Sequence, residues 1–139
     1  MAFVLDASVT MGWCFADEAD HVTDAALDRL RTERAIVPGL WALEVVNVLL
    51  VAERRGRIEP AGSARFLELL RGLPIEEDWD LPLDQAAALF DVARRYRLSA
   101  YDATYVVLAA RRGLGLATKD VRLAEAARGE GVALLHSPF

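Results

Sequence analysis

The sequence predicts an α/β protein, a three-layer α/β/α sandwich with a central parallel sheet. Short apolar runs recur along the chain: "AFVLDAS" at 2 to 8, "AIVPG" at 35 to 39, "LGLATKD" at 114 to 120 and "VALLH" at 132 to 136. Each has the length of a buried strand, and the stretches between them place apolar residues with the period of an amphipathic helix. Strands that alternate with helices become parallel neighbours, because each crossover lays a helix over one face of the sheet.

The elements follow in order. The first run is a strand ending at Asp6, and "HVTDAALDRLRTER" is a helix that turns Val22, Ala25, Ala26, Leu27 and Leu30 inward. A second strand closes with Pro38-Gly39, and a helix from about Leu40 to Arg55 stops at Gly56. "EPAGSARFLELLRG" at 59 to 72 has proline in its first turn and glycine at its end, the usual helix punctuation. "PIEEDWD" at 74 to 80 reads as a strand or an extended link. Helices beginning near Pro82 and Ser99 come next, then a strand, the helix "VRLAEAARGEG" and a last strand at 132 to 136. Without repeats, low-complexity segments or linkers, residues 1–139 are expected to form a single domain.

Composition removes several classes of function. Cys14 stands alone and His21 and His136 are the only histidines, so there is neither an internal disulfide nor zinc-ligand spacing. No basic leader opens the chain, and the apolar run at 40 to 52 is shorter than the ~20 residues a bilayer requires. A soluble, cytoplasmic protein with no membrane association is expected. The net charge of −5 opposes wholesale coating of nucleic acid by a basic surface. Local patches remain in "ERRGR" at 53 to 57, "RRYR" at 94 to 97 and "ARRG" at 110 to 113. Arginine grips phosphate bidentately, but basic residues also gather at helix C-termini, where the helix dipole favours them.

Polar residues in apolar company mark a candidate site. In "WALEVVNVLLV" at 41 to 51, Glu44 and Asn47 are three apart on a helix that otherwise reads as protein interior. A buried carboxylate needs a hydrogen-bonding network, a counter-ion or water. Asp6 and Asp120 follow strands, at the edge where open α/β sheets bind ligands, although an acid there also serves as a plain helix N-cap. Asp102 forms a possible capping box with Ser99, and it opens a helix that is apolar on most sides.

Asp6, Glu44, Asp102 and Asp120 can all meet at one edge of such a sandwich. Four crowded carboxylates raise one another's pKa and destabilise the fold unless cations neutralise them. An all-oxygen set suits Mg²⁺ or Mn²⁺ rather than zinc. Ser8, Asn47 and Thr118 stand close by in sequence as supporting polar groups that orient those carboxylates or hold water.

The segments "Val-Leu-Asp6-Ala-Ser8", "Leu-Glu44-Val-Val-Asn47-Val-Leu", "Leu-Ser-Ala-Tyr-Asp102-Ala" and "Ala-Thr118-Lys-Asp120-Val-Arg-Leu" resemble the four signature segments of PIN-domain ribonucleases. More closely, they resemble those of the VapC toxins of toxin–antitoxin pairs, in the same order from residue 2 to about 135. The resemblance implies that Asp6, Glu44, Asp102 and Asp120 are the acidic metal-binding and catalytic quartet, supported by Ser8, Asn47 and Thr118. It implies hydrolysis of RNA phosphodiester bonds assisted by Mg²⁺ or Mn²⁺, a homodimer, and a cognate VapB-like antitoxin whose tail packs in an apolar groove. Trp13, Phe15, Trp41 and Leu49 are candidates for that groove, although aromatic and aliphatic residues in a small domain are more often plain core. Val121, Arg122 and Leu123 follow the fourth acid, where some family members carry further acids.

Two rivals share the architecture. A catalytically idle PIN-like protein-binding module would keep the fold without the chemistry. A phosphotransfer enzyme or receiver domain would need Asp-x-Asp after the first strand or an adjacent acidic pair, and the chain has Asp6-Ala-Ser8.

Overall fold

The computed structural model describes residues 1–135. In chain order they form β1 (Ala2–Leu5), α1 (Ala7–Gly12), a 3-10 turn (Ala16–Glu18), α2 (His21–Arg29), β2 (Arg34–Pro38), α3 (Leu40–Arg54), α4 (Pro60–Arg71) and β3 (Ile75–Asp78). A second 3-10 turn (Leu83–Gln85), α5 (Ala86–Tyr96), α6 (Ala100–Arg112), β4 (Gly115–Ala117) and α7 (Val121–Gly129) complete them. The expected α/β architecture is present, with a central parallel sheet of four strands in the order β3-β2-β1-β4 flanked by seven helices.

The sheet forms because its middle is apolar on both faces. Phe3, Val4 and Leu5 of β1 and Ala35, Ile36 and Val37 of β2 are inaccessible to solvent, as parallel strands covered by helices on both sides must be. The segment at 75 to 78 settles as an edge strand beside β2, where Glu76 and Glu77 remain exposed; charges on an edge discourage further pairing. Beneath the helices, Val9, Val22, Ala26, Val45, Tyr105, Val106, Leu123 and Ala127 close the core.

Several expectations change in three dimensions. The proposed last strand at 132 to 136 reduces to one bridge between Leu134 and Leu116, with backbone bonds from the Leu116 amide to Ala133 and from the Leu135 amide to Leu116. His136 lies outside the described residues. In α2, Leu27 faces solvent and Thr23 turns inward, because Thr23 is engaged in a reciprocal capping box with Asp20.

Helix α3 is less buried than its composition implies. It lies in an outer layer, and only the stripe Trp41, Val45, Leu49 and Ala52 packs inward, while Leu43 is 72% exposed and Val46 and Leu50 also face out. Of the residues suggested for an apolar groove, Phe15, Trp41 and Leu49 are core, and Trp13 is half-buried with its indole donating to the Thr23 carbonyl at 2.8 Å. Trp41 and Val45 show one side in a shallow groove between α3 and α4, alongside Val46, Leu67, Leu70 and Ile75.

Candidate metal centre

The chain passes from β1 to β2 to β3 on one side, then returns to place β4 on the other side of β1. The carboxyl ends of β1 and β4 therefore flank the point where strand order reverses, the usual ligand crevice of an open α/β sheet. Leu5 pairs with Ala117, so Asp6 follows β1 directly beside Thr118. The Asp6 amide donates to the Ala117 carbonyl at 3.1 Å.

Asp6 is buried and occupies the N-cap position of α1 without capping it through its side chain. Instead its Oδ2 accepts from Ser8 Oγ at 2.6 Å and from Thr118 Oγ1 at 2.8 Å. Both hydroxyls also accept from the β4–α7 connection: Ser8 Oγ from the Lys119 amide at 3.1 Å, Thr118 Oγ1 from the Asp120 amide at 3.0 Å. One ring of hydrogen bonds thus ties the end of β1 to the end of β4. From the sequence Thr118 stood nearest to Asp120; in the fold its hydroxyl grips Asp6. Lys119, the single lysine, reaches away to the Glu18 carbonyl and lies 3.5 Å from the Asp20 carboxylate.

Glu44 approaches from α3, half-buried, and its Oε1 accepts from the Tyr105 hydroxyl of α6. Three residues before it, Trp41 Nε1 donates to Thr10 Oγ1 at 3.0 Å, and Thr10 Oγ1 contacts the Asp6 carbonyl at 3.3 Å. Asn47 does not join. Three residues turn the helix about 60° short of a full circle and one turn onward, and Asn47 emerges exposed, without a side-chain hydrogen bond among the described residues.

Asp102 sits in the first turn of α6, whose N-cap Ser99 accepts from the Asp102 amide at 3.1 Å. The return bond of a capping box is not formed, so the carboxylate stays uncommitted to the backbone. Asp120 does cap α7: its Oδ1 accepts from the amides of Arg122 and Leu123 at 2.8 and 3.2 Å, leaving Oδ2 without a hydrogen bond among the described residues.

The four acids feel one another. Burial raises the pKa of Asp6 against the lowering effect of the Ser8 and Thr118 hydroxyls, and the charges of Asp102 and Asp120 push it further up. Glu44 is raised by burial, opposed by the Tyr105 hydrogen bond and reinforced by Asp6 and Asp102. Asp102 is raised by burial and by Asp120, with Ser99 opposing. Burial and Glu44 together push the Tyr105 phenol far above its ordinary value, so it remains a protonated donor. None of the four acids takes part in an ion pair among the described residues, whereas Asp17, Glu18, Asp78, Asp80 and Glu130 all do.

Among the described residues no three acidic, histidine or cysteine side chains stand close enough together to hold a metal ion as they are placed. Asp120 Oδ1 is turned toward its own helix. The donors are all hard oxygens, and Asp6 Oδ1, Glu44 Oε2 and Asp120 Oδ2 accept no hydrogen bond among the described residues. Such a set fits a hard divalent cation. Three surface grooves, beside Trp79, between α3 and α4, and beside Val92 and Val107, are lined by other residues.

Sequence reasoning missed Tyr105 and the Trp41–Thr10 link. A tyrosine in the buried stripe of α6 needs a partner for its hydroxyl; that requirement signalled a polar contact without saying which acid makes it.

The family model of the PIN domain matches residues 3–129. The crystal structure of PAE2754 from Pyrobaculum aerophilum superposes with a TM-score of 0.71 at 25% identity, covering 93% of this chain and 87% of that one. That of FitAcB from Neisseria gonorrhoeae superposes with a TM-score of 0.65 at 18% identity, covering 98% and 97%. No curated protein matches the chain. With the family match spanning nearly all of the described fold and its carboxylate edge, the chain belongs to the PIN domain family.

Proposed function

We propose that this protein is a Mg²⁺- or Mn²⁺-dependent endoribonuclease and the toxin of a type II toxin–antitoxin pair. One observation carries the reading: the charges of Asp102 and Asp120 bear on Asp6, those of Asp6 and Asp102 bear on Glu44, and among the described residues no cationic side chain pairs with any of the four acids. Asp6, Glu44, Asp102 and Asp120 would hold the cation, with Ser8 and Thr118 fixing Asp6 from behind. When bound, a divalent cation supplies Lewis acidity, which acidifies water and stabilises charge building on a phosphate.

The chain's own residues do the rest. Asp6, buried and doubly hydrogen-bonded, presents a fixed anionic oxygen. Asp102 or Glu44 would take up the proton of an attacking water. Negative charge at the centre repels a bare phosphate backbone, so RNA affinity depends on the cation and on arginines around the edge.

The partners follow from the same family reading: a homodimer and a small VapB-like antitoxin in the cytoplasm. The exposed Leu43, Val46, Leu50, Leu67 and Leu69 of α3 and α4 support an apolar partner surface on that side of the molecule. The test is cleavage of a structured RNA by the natural chain and by Asp6→Asn, with and without Mn²⁺. Metal-dependent cleavage that Asp6→Asn abolishes supports the proposal. Cleavage by neither protein would favour the idle binding module, and equal cleavage by both would remove Asp6 from the mechanism.

A further inference from the structure

We infer that Tyr105 is a positioning residue for Glu44: its hydroxyl holds one carboxylate oxygen at the floor of the site and leaves the other free for a divalent cation. This rests on the proposed metal-binding role of Glu44.

Glutamate is a long side chain with several rotatable bonds, and Glu44 stands on an outer-layer helix at half burial. Repulsion from Asp6 and Asp102 would swing it toward solvent, away from the other acids. Tyr105 counters that motion. Its own side chain is fully buried, and packing confines the ring. The hydroxyl has one proton to donate, and that proton goes to Glu44 Oε1. Hydrogen bonds to an ionised acceptor belong to the strong class.

The tyrosine also couples two ligand-bearing elements. Tyr105 lies on the same helix as Asp102, so α6 carries one acid and anchors another 61 positions away in sequence from the tyrosine. Among the described residues no other side chain hydrogen-bonds Glu44. A phenylalanine would fill the same volume; the hydroxyl is explained by what it holds.

The experiment titrates Mn²⁺ alone into the natural chain, Tyr105→Phe, Glu44→Gln and the double variant. It reads the dissociation constant by calorimetry and the Mn²⁺-induced rise in each protein's own thermal midpoint. Tyr105→Phe is expected to weaken Mn²⁺ binding roughly 10- to 100-fold, the range for residues that orient a ligand. Glu44→Gln is expected to weaken it at least as much, and the double variant no more than Glu44→Gln alone. Undiminished Mn²⁺ binding by Tyr105→Phe, with Glu44→Gln impaired, would overturn the positioning role alone. So would a double variant that loses the full Tyr105→Phe factor on top of the Glu44→Gln factor, since that independence marks a general effect on the core. Undiminished binding by Glu44→Gln would instead remove the role of Glu44 itself, and that of Tyr105 with it. Each shift is measured against the same protein without metal, so a less stable Tyr105→Phe still gives a decisive answer.

Discussion

Thr118 and Asp6 lie 112 positions apart and share one hydrogen bond of 2.8 Å that closes the sheet edge between β1 and β4. The same Thr118 oxygen accepts from the Asp120 amide, so one hydroxyl serves two of the acids. Thr118→Val keeps the shape and deletes both bonds. It is expected to cost about 1–3 kcal/mol of folding stability in urea melts, the cost of leaving buried polar groups unsatisfied. RNA cleavage should fall about 10- to 100-fold. Thr118→Ser should recover most of both.

The acids at this edge predict an unusual response to pH. Asp6, Glu44 and Asp102 have folded pKa values above their unfolded ones, so the native state binds more protons than the unfolded state between those values. Metal-free stability therefore falls as pH rises from about 4 through the raised values. Asp20 and Asp78 behave oppositely. At Asp78 burial acts to raise the pKa and is overcome by the Asp80 amide, Arg111 and Arg112. At Asp20 burial is likewise overcome, by the Thr23 amide and Lys119. Their contribution is present above the unfolded pKa and is lost as pH falls through the lowered values. Thermal midpoints of the metal-free protein should thus peak on the acid side of neutrality and decline on either side. Asp6→Asn should raise the neutral-pH midpoint by about 4 °C, equivalent to about 1 kcal/mol, and excess Mn²⁺ should shrink that difference by stabilising only the natural chain.

Away from the site, Asp78 at the end of β3 receives Arg111 at 3.2 Å and Arg112 at 3.0 Å, clasping the edge strand to the C-terminus of α6. All three side chains are more covered than exposed, so the cluster outperforms an isolated surface pair. Asp78→Ala is expected to lower stability by about 1 kcal/mol at low salt and by less in 1 M salt, measured by chemical denaturation.

The arginines divide by what already occupies them. Arg95 is bound to Glu130 at 2.6 Å and Arg94 stacks 4.0 Å from the centre of the Phe90 ring. Arg122 has no carboxylate partner among the described residues, is exposed, and stands in the first turn of α7 just after Asp120, where the helix dipole disfavours a cation. In an Asp6→Asn background, Arg122→Ala should weaken single-stranded RNA binding several-fold and reduce the salt slope by about 0.7. Arg95→Ala should change RNA binding less, as fluorescence anisotropy across a salt series will show.

Much of the fold was legible because local rules and global packing agree. Pro60 and Gly72 bracket α4, Gly113 ends α6 in a left-handed conformation, and continuous apolar strands announced a parallel sheet. Misreadings arose where composition stood in for position. An apolar α3 looked like interior, yet one stripe meets the core, since sequence states what a residue is made of and not what lies opposite it. Asn47 failed for the same reason.

By itself the sequence determined the α/β architecture and singled out an all-oxygen candidate set, because period, punctuation and residue type are local properties. The tertiary structure alone decided how two of those acids are held: the Thr118 hydroxyl on the Asp6 carboxylate, and Tyr105 on Glu44. Both contacts join residues from different elements, and the order β3-β2-β1-β4, which seats β4 beside β1, brings Thr118 to Asp6.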